Sequence, residues 1–442
     1  MWRAPARERT IRPVRRVTQR LESGPAWVLA LWAMAASFSA YFCMYAYRKP
    51  FAAAGFEGES FFGSGVGLKT ALVIGQIVGY TISKFMGIKV CSEMGAGSRG
   101  RALMVMILAA QGALLAFALL PGSWKVAAMC LNGLPLGMVW GVAVSYLEGR
   151  RASEVMLAGL SCSYIVASGV VKDAGIGVMR AFGTSEAWMP FVTGALFLPA
   201  FAVSVWMLER LPPPTARDIE ERTRRAPMMA SERWAFLTRF LPGMVMLLGV
   251  YFLLTAYRDF RDNYGVEVFR ELGYGETPGI FTRTEVPVAF GVMGCLALIS
   301  LARSNRVGIG LVFLMMTAGV VLMGAATLAF DGGRVSGAWW MTLVGLGAYM
   351  AYVPFGSVLF DRLIASTRVV GTAVFAIYVF DAVGYTGSVG VQLFKDLGAS
   401  SSTRLEFFRG LTYAMSGVGV VLLGGAYAYF AVRHLRGGAG RG

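Results

Sequence analysis

The sequence predicts an all-α membrane protein of twelve transmembrane helices, arranged as two pseudo-symmetric six-helix bundles. Three observations lead there. The chain has 442 residues, 56% of them hydrophobic and only 15% charged, whereas a soluble globular protein carries about 25% charged residues. Its apolar residues fall into twelve runs, each close to the ~20 residues that carry a helix across ~30 Å of hydrocarbon. A short motif at the end of the first run returns at the end of the seventh. A mean hydropathy of +0.59 makes the bilayer the solvent, and it excludes most soluble enzymes, a nucleic-acid-binding domain and a secreted disulfide scaffold. The 56 glycines agree, because glycine is frequent in membrane helices.

The expected spans are 25–47, 67–88, 102–121, 124–147, 155–177, 187–208, 240–258, 284–302, 307–330, 336–360, 369–393 and 409–432. The first is too long for a cleavable signal peptide, and its end, Tyr45-Ala46-Tyr47-Arg48, offers no small-residue cleavage site. The spans divide the chain into a basic tail (1–24), an N-terminal bundle (25–208), a linker (209–239), a C-terminal bundle (240–432) and a short tail (433–442). The linker holds Pro212-Pro213-Pro214 and Arg222, Arg224 and Arg225. A proline triplet resists helix, and mixed charge keeps the segment in water.

An even number of spans puts both ends on one side. Of 41 Lys and Arg, 27 fall on that side and 14 on the other, and Arg3, Arg7, Arg9, Arg12, Arg15, Arg16 and Arg20 crowd the first tail. Such a bias expects both termini in the cytoplasm, here of a bacterium with the chain in its inner membrane. The +16 net charge is thereby explained by topology rather than by nucleic acid. The five cysteines (Cys43, Cys91, Cys130, Cys162 and Cys295) form no CxxC pair, and the one histidine, His434, lies in the last tail. Neither a metal centre nor a histidine-based triad is expected, and no phosphate-loop motif points to ATP or another cofactor.

Ala46-Tyr47-Arg48 closes the first span and Ala256-Tyr257-Arg258 the seventh, with the arginines 210 positions apart. Tyr41 and Tyr251 each precede their arginine by seven. Tyr41, Tyr45 and Arg48 stand at i, i+4 and i+7, which is one face of a helix, and Tyr251, Thr255 and Arg258 repeat the spacing. Two such faces meeting across a pseudo-twofold axis build a cationic, hydrogen-bonding cavity.

An intramembrane charge costs at least about 2.5–3.5 kcal/mol, so it faces a cavity or a partner. Two readings of Arg48 and Arg258 are open: snorkelling to the headgroups, or gripping one anion through the planar fork that meets phosphate or carboxylate with two parallel hydrogen bonds. Lys84 follows Tyr80 by four residues and reads either as a site cation or as an interfacial lysine. Lys172 and Asp173 are adjacent and cannot point the same way, so each has its own partner, structural or gating. Asp259, Arg261 and Asp262 are expected to form ion pairs near the outer mouth, with Arg261 in reserve as a site residue. Asp381, isolated in its span, reads as a proton carrier or as a counter-ion for Arg48, Arg258 or Lys172. Glu148, Arg150 and Arg151 read as a cytoplasmic latch or as topology, and Gly371-Thr372-Ala373 as close helix packing.

Twelve spans in a 6+6 arrangement resemble the major facilitator superfamily. Within it, Tyr41-Phe42-Cys43-Met44-Tyr45-Ala46-Tyr47-Arg48-Lys49-Pro50-Phe51 resembles the first-helix motif of the organophosphate:phosphate antiporters, and Tyr80-Thr81-Ile82-Ser83-Lys84-Phe85 resembles their second-helix pattern. The resemblance implies that Arg48 binds phosphate, that Tyr80 and Lys84 line the site, and that Arg258 stands for the family's second arginine. Two departures are visible. Tyr164 aligns where the family carries histidine, and the loop after the second span, Gly87-Ile88-Lys89-Val90-Cys91-Ser92-Glu93, lacks the usual Gly-x-x-x-Asp-Arg. The chain is also similar to a group of bacterial membrane proteins of unknown function.

The expectation is a monomeric secondary transporter of a small organic anion, an organophosphate or phosphate among the candidates. Its partners are that solute and the lipid bilayer. Arg48, Arg258, Tyr41, Tyr45, Tyr80 and Lys84 bind the solute, and Lys172, Asp173, Arg261 and Asp262 serve as gate pairs. The alternatives are a proton-coupled carboxylate or amino-acid carrier using Asp381, and a transporter-like ligand sensor. A membrane enzyme is not expected, since no nucleophile–base pair is visible.

Overall fold

The computed structural model describes residues 16–432 apart from 96, 148, 149, 151, 152, 215–239, 301, 303, 361, 364–372, 399 and 400. Most of the first tail and of the linker, the last tail with His434, and Glu148, Arg151, Gly371 and Thr372 therefore lie outside the described residues.

Fourteen α-helices are described. Two are short: α1 (Arg16–Ser23) precedes the first span, and α9 (Gly265–Glu271) follows the seventh. The other twelve are α2 (Ala26–Arg48), α3 (Leu68–Glu93), α4 (Arg99–Leu119), α5 (Lys125–Leu147), α6 (Ser153–Phe182), α7 (Met189–Leu208), α8 (Leu241–Asn263), α10 (Ile280–Ser300), α11 (Asn305–Asp331), α12 (Gly337–Ser357), α13 (Ala373–Leu397) and α14 (Arg404–Phe430). Each coincides with one expected span.

Local chemistry sets several ends. Pro50 cannot continue α2, so the chain turns into a 3-10 segment, Pro50–Ala53, directly after Arg48. A reciprocal capping box of Thr403 and Glu406 starts α14. Prolines inside α5, α7, α10 and α12 are accommodated because neighbouring helices re-satisfy the freed backbone. Four helices run well past their expected ends: α3 to Glu93, α6 to Phe182, α8 to Asn263 and α13 to Leu397. In α8 the apolar pattern stops at Asp259, Arg261 and Asp262, but those charges are paired inside the protein, so the helix does not.

Among the described residues, nine helices are long and apolar enough to cross a membrane by composition alone. The three that fall short are α3, α12 and α13. They carry Tyr80 and Lys84, Tyr349 and Tyr352, and Asp381 and Tyr385.

The buried side chains form two clusters. One runs from Ala33 to Leu208 and takes in Tyr385 from the other half; the second runs from Phe240 to Phe430 and takes in Ile165. Each half thus has its own core. In the first, α3 and α5 touch through glycines: a Cβ on Gly79 would lie 1.9 Å from the Cys130 carbonyl oxygen, and one on Gly133 would lie 2.3 Å from that of Gln76. Backbone against backbone cannot yield, so Gly79→Val should lower the unfolding midpoint or abolish folded yield, overpacking costing about 1–3 kcal/mol or more. Gly112→Ala, where a Cβ meets nothing within 4 Å, should leave the midpoint in place. Thermal unfolding in detergent reads both.

Candidate functional site: a cavity between the halves

The helix α2 begins and α14 ends on one face, called here the tail face; the opposite face is the far face. Between the halves is a cavity of about 700 Å³, its mouth included. Tyr41, Tyr45, Arg48, Tyr80, Lys84, Trp140, Ser161 and Tyr164 line it from the first half, and Tyr251, Arg258, Tyr352, Val353, Gly356, Asp381 and Tyr385 from the second. Lining charges are three cations and one acid.

Arg48 ends α2, so it stands at the far-face end of the cavity. It is only 7% exposed. Its guanidinium lies 4.2 Å from the Tyr80 ring centroid and 5.7 Å from that of Tyr45, and its Nε has no hydrogen-bond partner. Among the described residues no carboxylate lies within ion-pair distance of it. A buried cation held only by aromatic faces keeps most of its hydrogen-bonding capacity unused.

Arg258 mirrors it from α8. Its guanidinium sits 4.2 Å from the Tyr352 centroid and donates to Oδ1 of its neighbour Asp259 at 2.8 Å. Asp259 thus belongs to Arg258 rather than to the mouth. Asp259 Oδ2 is left without a partner. The Tyr45 phenol is within electrostatic range of both arginines.

Toward the tail face the halves meet again. Lys84 Nζ lies 3.7 Å from Asp381 Oδ2, and the Tyr251 hydroxyl donates to Asp381 Oδ1 at 2.5 Å. Gly384 allows this: a Cβ there would sit 2.7 Å from Thr255 Oγ1, so α13 presses against α8 and presents Asp381 to Tyr251. The sequence offered Arg48, Arg258 and Lys172 as ion partners for Asp381, and the structure places it beside Lys84 instead. The reason is depth. Asp381 lies in the first third of α13, which enters at the tail face, whereas Arg48 and Lys172 lie toward the far face. The rings of Tyr80 and Tyr385, 5.8 Å apart, and of Tyr164 and Tyr349, 6.3 Å apart, also cross between halves.

At the far face a polar network closes the cavity. Asp262 of α8 receives Lys49 at 2.5 Å and Lys172 at 2.7 Å, and Ser168 donates to it. Lys49 also donates to Asn263 Oδ1 at 2.9 Å. Lys69 meets Glu267 at 2.5 Å, and the hydroxyls of Thr70 and Tyr264 are 2.6 Å apart. All of these join one half to the other.

Of the residues expected at the site, Tyr41, Tyr45, Arg48, Tyr80, Lys84 and Arg258 share this cavity. The four expected gate residues separate. Lys172 and Asp262 pair across the halves. Among the described residues Asp173 meets no lysine or arginine; it accepts from the Thr282 backbone N–H at 2.7 Å and hydroxyl at 2.6 Å. Arg261 turns into its own half, to Glu285 at 2.6 Å and the Met341 carbonyl at 2.9 Å, so it braces α8, α10 and α12. Gly345 leaves it room there: a Cβ on that residue would lie 2.5 Å from Arg261 Nη2. Arg150 caps α5 and reaches the Pro212 carbonyl at 2.5 Å. Sequence reasoning missed Trp140, Ser161, Tyr352 and Tyr385 in the lining. Tyr385 was visible one turn after Asp381; the others left no signal.

Twelve helices in two halves around a central cavity are the architecture of the major facilitator secondary transporters. Three solved structures share it. A D-xylose-proton symporter matches with TM-score 0.61 and 12% identity over 92% of this chain and 98% of that one. The nucleoside transporter NupG matches with TM-score 0.60 and 14% identity over 91% and 99%. A bacterial homologue of the human lysosomal transporter Spinster, inward-facing and unoccupied, matches with TM-score 0.57 and 14% identity over 92% and 97%. At such identities the likeness shows the fold alone, and the finer resemblance to organophosphate:phosphate antiporters rests on the motifs. The family of unknown function DUF5690 matches residues 50–433, and the chain belongs to it. No curated protein matches the sequence.

Proposed function

We propose that this multi-pass membrane protein is a secondary active transporter of a small organic anion, a phosphate ester or phosphate the leading candidate. It works as a monomer in a bacterial inner membrane, with the tail face cytoplasmic and the far face outside. The solute and the lipid bilayer are its partners, and it is not an enzyme. Arg48 and Arg258 take the anionic group, Tyr41, Tyr45 and Tyr80 donate hydrogen bonds, and Lys84 adds the third cation. The two halves rock about this site to expose it to each face in turn.

The observation that carries the reading is Arg48, a buried guanidinium with an unpartnered Nε and no carboxylate beside it among the described residues. Burying a cation without a counter-ion is expensive, so its counter-charge is the solute's. The solved structures of similar fold are transporters, which supports the class and leaves the solute open. A thermal-shift screen of purified protein against phosphate, phosphate esters, carboxylates and amino acids tests it. Phosphate compounds should raise the unfolding midpoint, and Arg48→Ala and Arg258→Ala should each remove the rise. Stabilisation that persists in both variants contradicts the assignment.

A second reading has one observation in its favour. Asp381 is held between Lys84 and Tyr251 at the junction of the halves, a place where protonation of a carboxylate would alter the contact between them. In that reading the chain is a proton-coupled carrier. Asp381→Asn decides: proton-driven uptake should vanish in a proton-coupled carrier, while anion-for-anion exchange in proteoliposomes should survive in an antiporter. A sensor would bind the same anions with no flux at all.

A further inference from the structure

The helix α3 and the helix α10 occupy corresponding places in the two halves, each the second long helix of its bundle. Both begin at the outer face. A helix start leaves backbone N–H groups without internal acceptors and carries the positive end of the helix dipole. In each case a carboxylate from the other half fills that need. Asp173 of α6 accepts from the Thr282 N–H at 2.7 Å and from its hydroxyl at 2.6 Å, in the first turn of α10. Asp396 of α13 accepts from the N–H of Gly67, the residue that caps α3, at 3.1 Å. The donors of the carboxylates correspond too: α6 and α13 are each the fifth long helix of their half. The residues are not in matching register, but the helix pairs are.

The surroundings fit a contact that must both hold and release. Asp396 keeps Arg404 of its own half at 2.6 Å, so separation would not strand it, whereas both bonds that Asp173 accepts come from Thr282 of the other half. At the α6–α10 seam, a Cβ on Gly169 would lie 2.9 Å from the Phe281 carbonyl oxygen, so the two helices approach closely enough for Asp173 to reach its cap. At the α3–α13 seam, a Cβ on Gly67 would lie 3.6 Å from Asp396 Oδ2.

We propose that Asp173 and Asp396 are paired outer-face latches, each capping the start of a helix in the opposite half, and that the outer face opens only when both let go. This rests on the alternating-access reading but not on any particular solute. The lysine cluster at Asp262 supplies attraction between the halves. The two caps supply direction, because a carboxylate satisfies a helix start only in one alignment. They also place a hold at each edge of the seam, which prevents one edge from opening ahead of the other.

The test is ligand-free and needs no transport. Spin labels are placed on exposed outer positions in a cysteine-free background: Ala181→Cys with Arg334→Cys across one seam, and Ser64→Cys with Ser401→Cys across the other. Pulsed dipolar distances are recorded in nanodiscs. Asp173→Ala and Asp396→Ala should each raise the ratio of long (open) to short (closed) distances roughly fivefold, the equivalent of losing one helix cap. The double variant should raise it roughly 25-fold if the caps act independently. Asp331→Ala is the control. Asp331 sits at the same face but pairs with Arg409 and Tyr413 inside its own half, so it should leave both distributions unchanged. Circular dichroism confirms that each variant is folded. If the folded double variant keeps the wild-type distributions, or if Asp331→Ala shifts them as much, the latches are wrong. The anion screen on Arg48 and Arg258 is unaffected by either outcome.

Discussion

Exchange or uptake in proteoliposomes should fall at least ~30-fold when either Arg48 or Arg258 is replaced by alanine. Truncating one member of a buried, hydrogen-bonded charge pair costs about 2–5 kcal/mol, and here the missing member leaves the solute's anion facing aromatic rings. The conservative replacement should separate charge from shape. Arg48→Lys retains the cation but loses the fork and its stacking on Tyr80, so a partial loss is expected, with affinity falling more than maximal rate. The two arginines should differ in one respect. Arg258 forms an ion pair with Asp259 at 2.8 Å, whereas Arg48 has no carboxylate within ion-pair distance among the described residues. Arg48→Ala should therefore leave a well-folded protein, and Arg258→Ala should strand Asp259 and lose some stability as well. Flux by the Arg48→Ala protein at the wild-type rate would remove that arginine from the site.

Replacing Asp262 by alanine should produce the largest change in the closed far face. Lys49 and Lys172 both converge on this carboxylate, with side chains 5% and 2% exposed. Removing the shared partner leaves two buried ammonium groups facing each other, and breaking even one such pair costs about 3–5 kcal/mol. The protein can respond by unfolding earlier or by opening so that water reaches the lysines. The first lowers the unfolding midpoint by about 5–10 °C. The second exposes Thr70, fully buried in the closed face, so that a Thr70→Cys reporter reacts with a membrane-impermeant maleimide. The triple variant Lys49→Met, Lys172→Met, Asp262→Leu should recover stability, because an apolar set of similar size carries no desolvation cost. An Asp262→Ala protein with neither change would show that this cluster is not what closes the outer face.

The helices were legible because burial in lipid demands long apolar runs, and no other fold satisfies them. The cavity faces of α2 and α8 were legible because Tyr41, Tyr45 and Arg48, and Tyr251 and Arg258, recur at helical spacing. Lys84 and Tyr80 followed from the same rule. What the sequence could not yield was pairing between distant helices. Lys49 follows Arg48 directly in the sequence, yet it points to Asp262 in the other half. Arg261 read as part of the mouth, yet it sits one helical position away from the cavity face and is spent on Glu285. Tyrosine and tryptophan in a membrane helix pack equally well toward lipid, core or cavity, so Trp140 and Tyr352 gave no sign of their orientation. The end of α8 was placed too early because hydropathy counts Asp259 and Asp262 as water-seeking when their partners are within the protein.

The central claim is that one solute anion is gripped by an arginine from each half. Titration calorimetry of phosphate, and of the best phosphate ester from the thermal screen, on wild type, Arg48→Ala, Arg258→Ala and the double variant tests it most directly. The account predicts strong coupling: each single variant loses nearly all affinity, and the double variant is scarcely weaker than either, because two groups that hold the same anion are not additive. Losses that simply add, or a single variant that binds as tightly as wild type, would mean that the two guanidinium groups do not hold a common ligand.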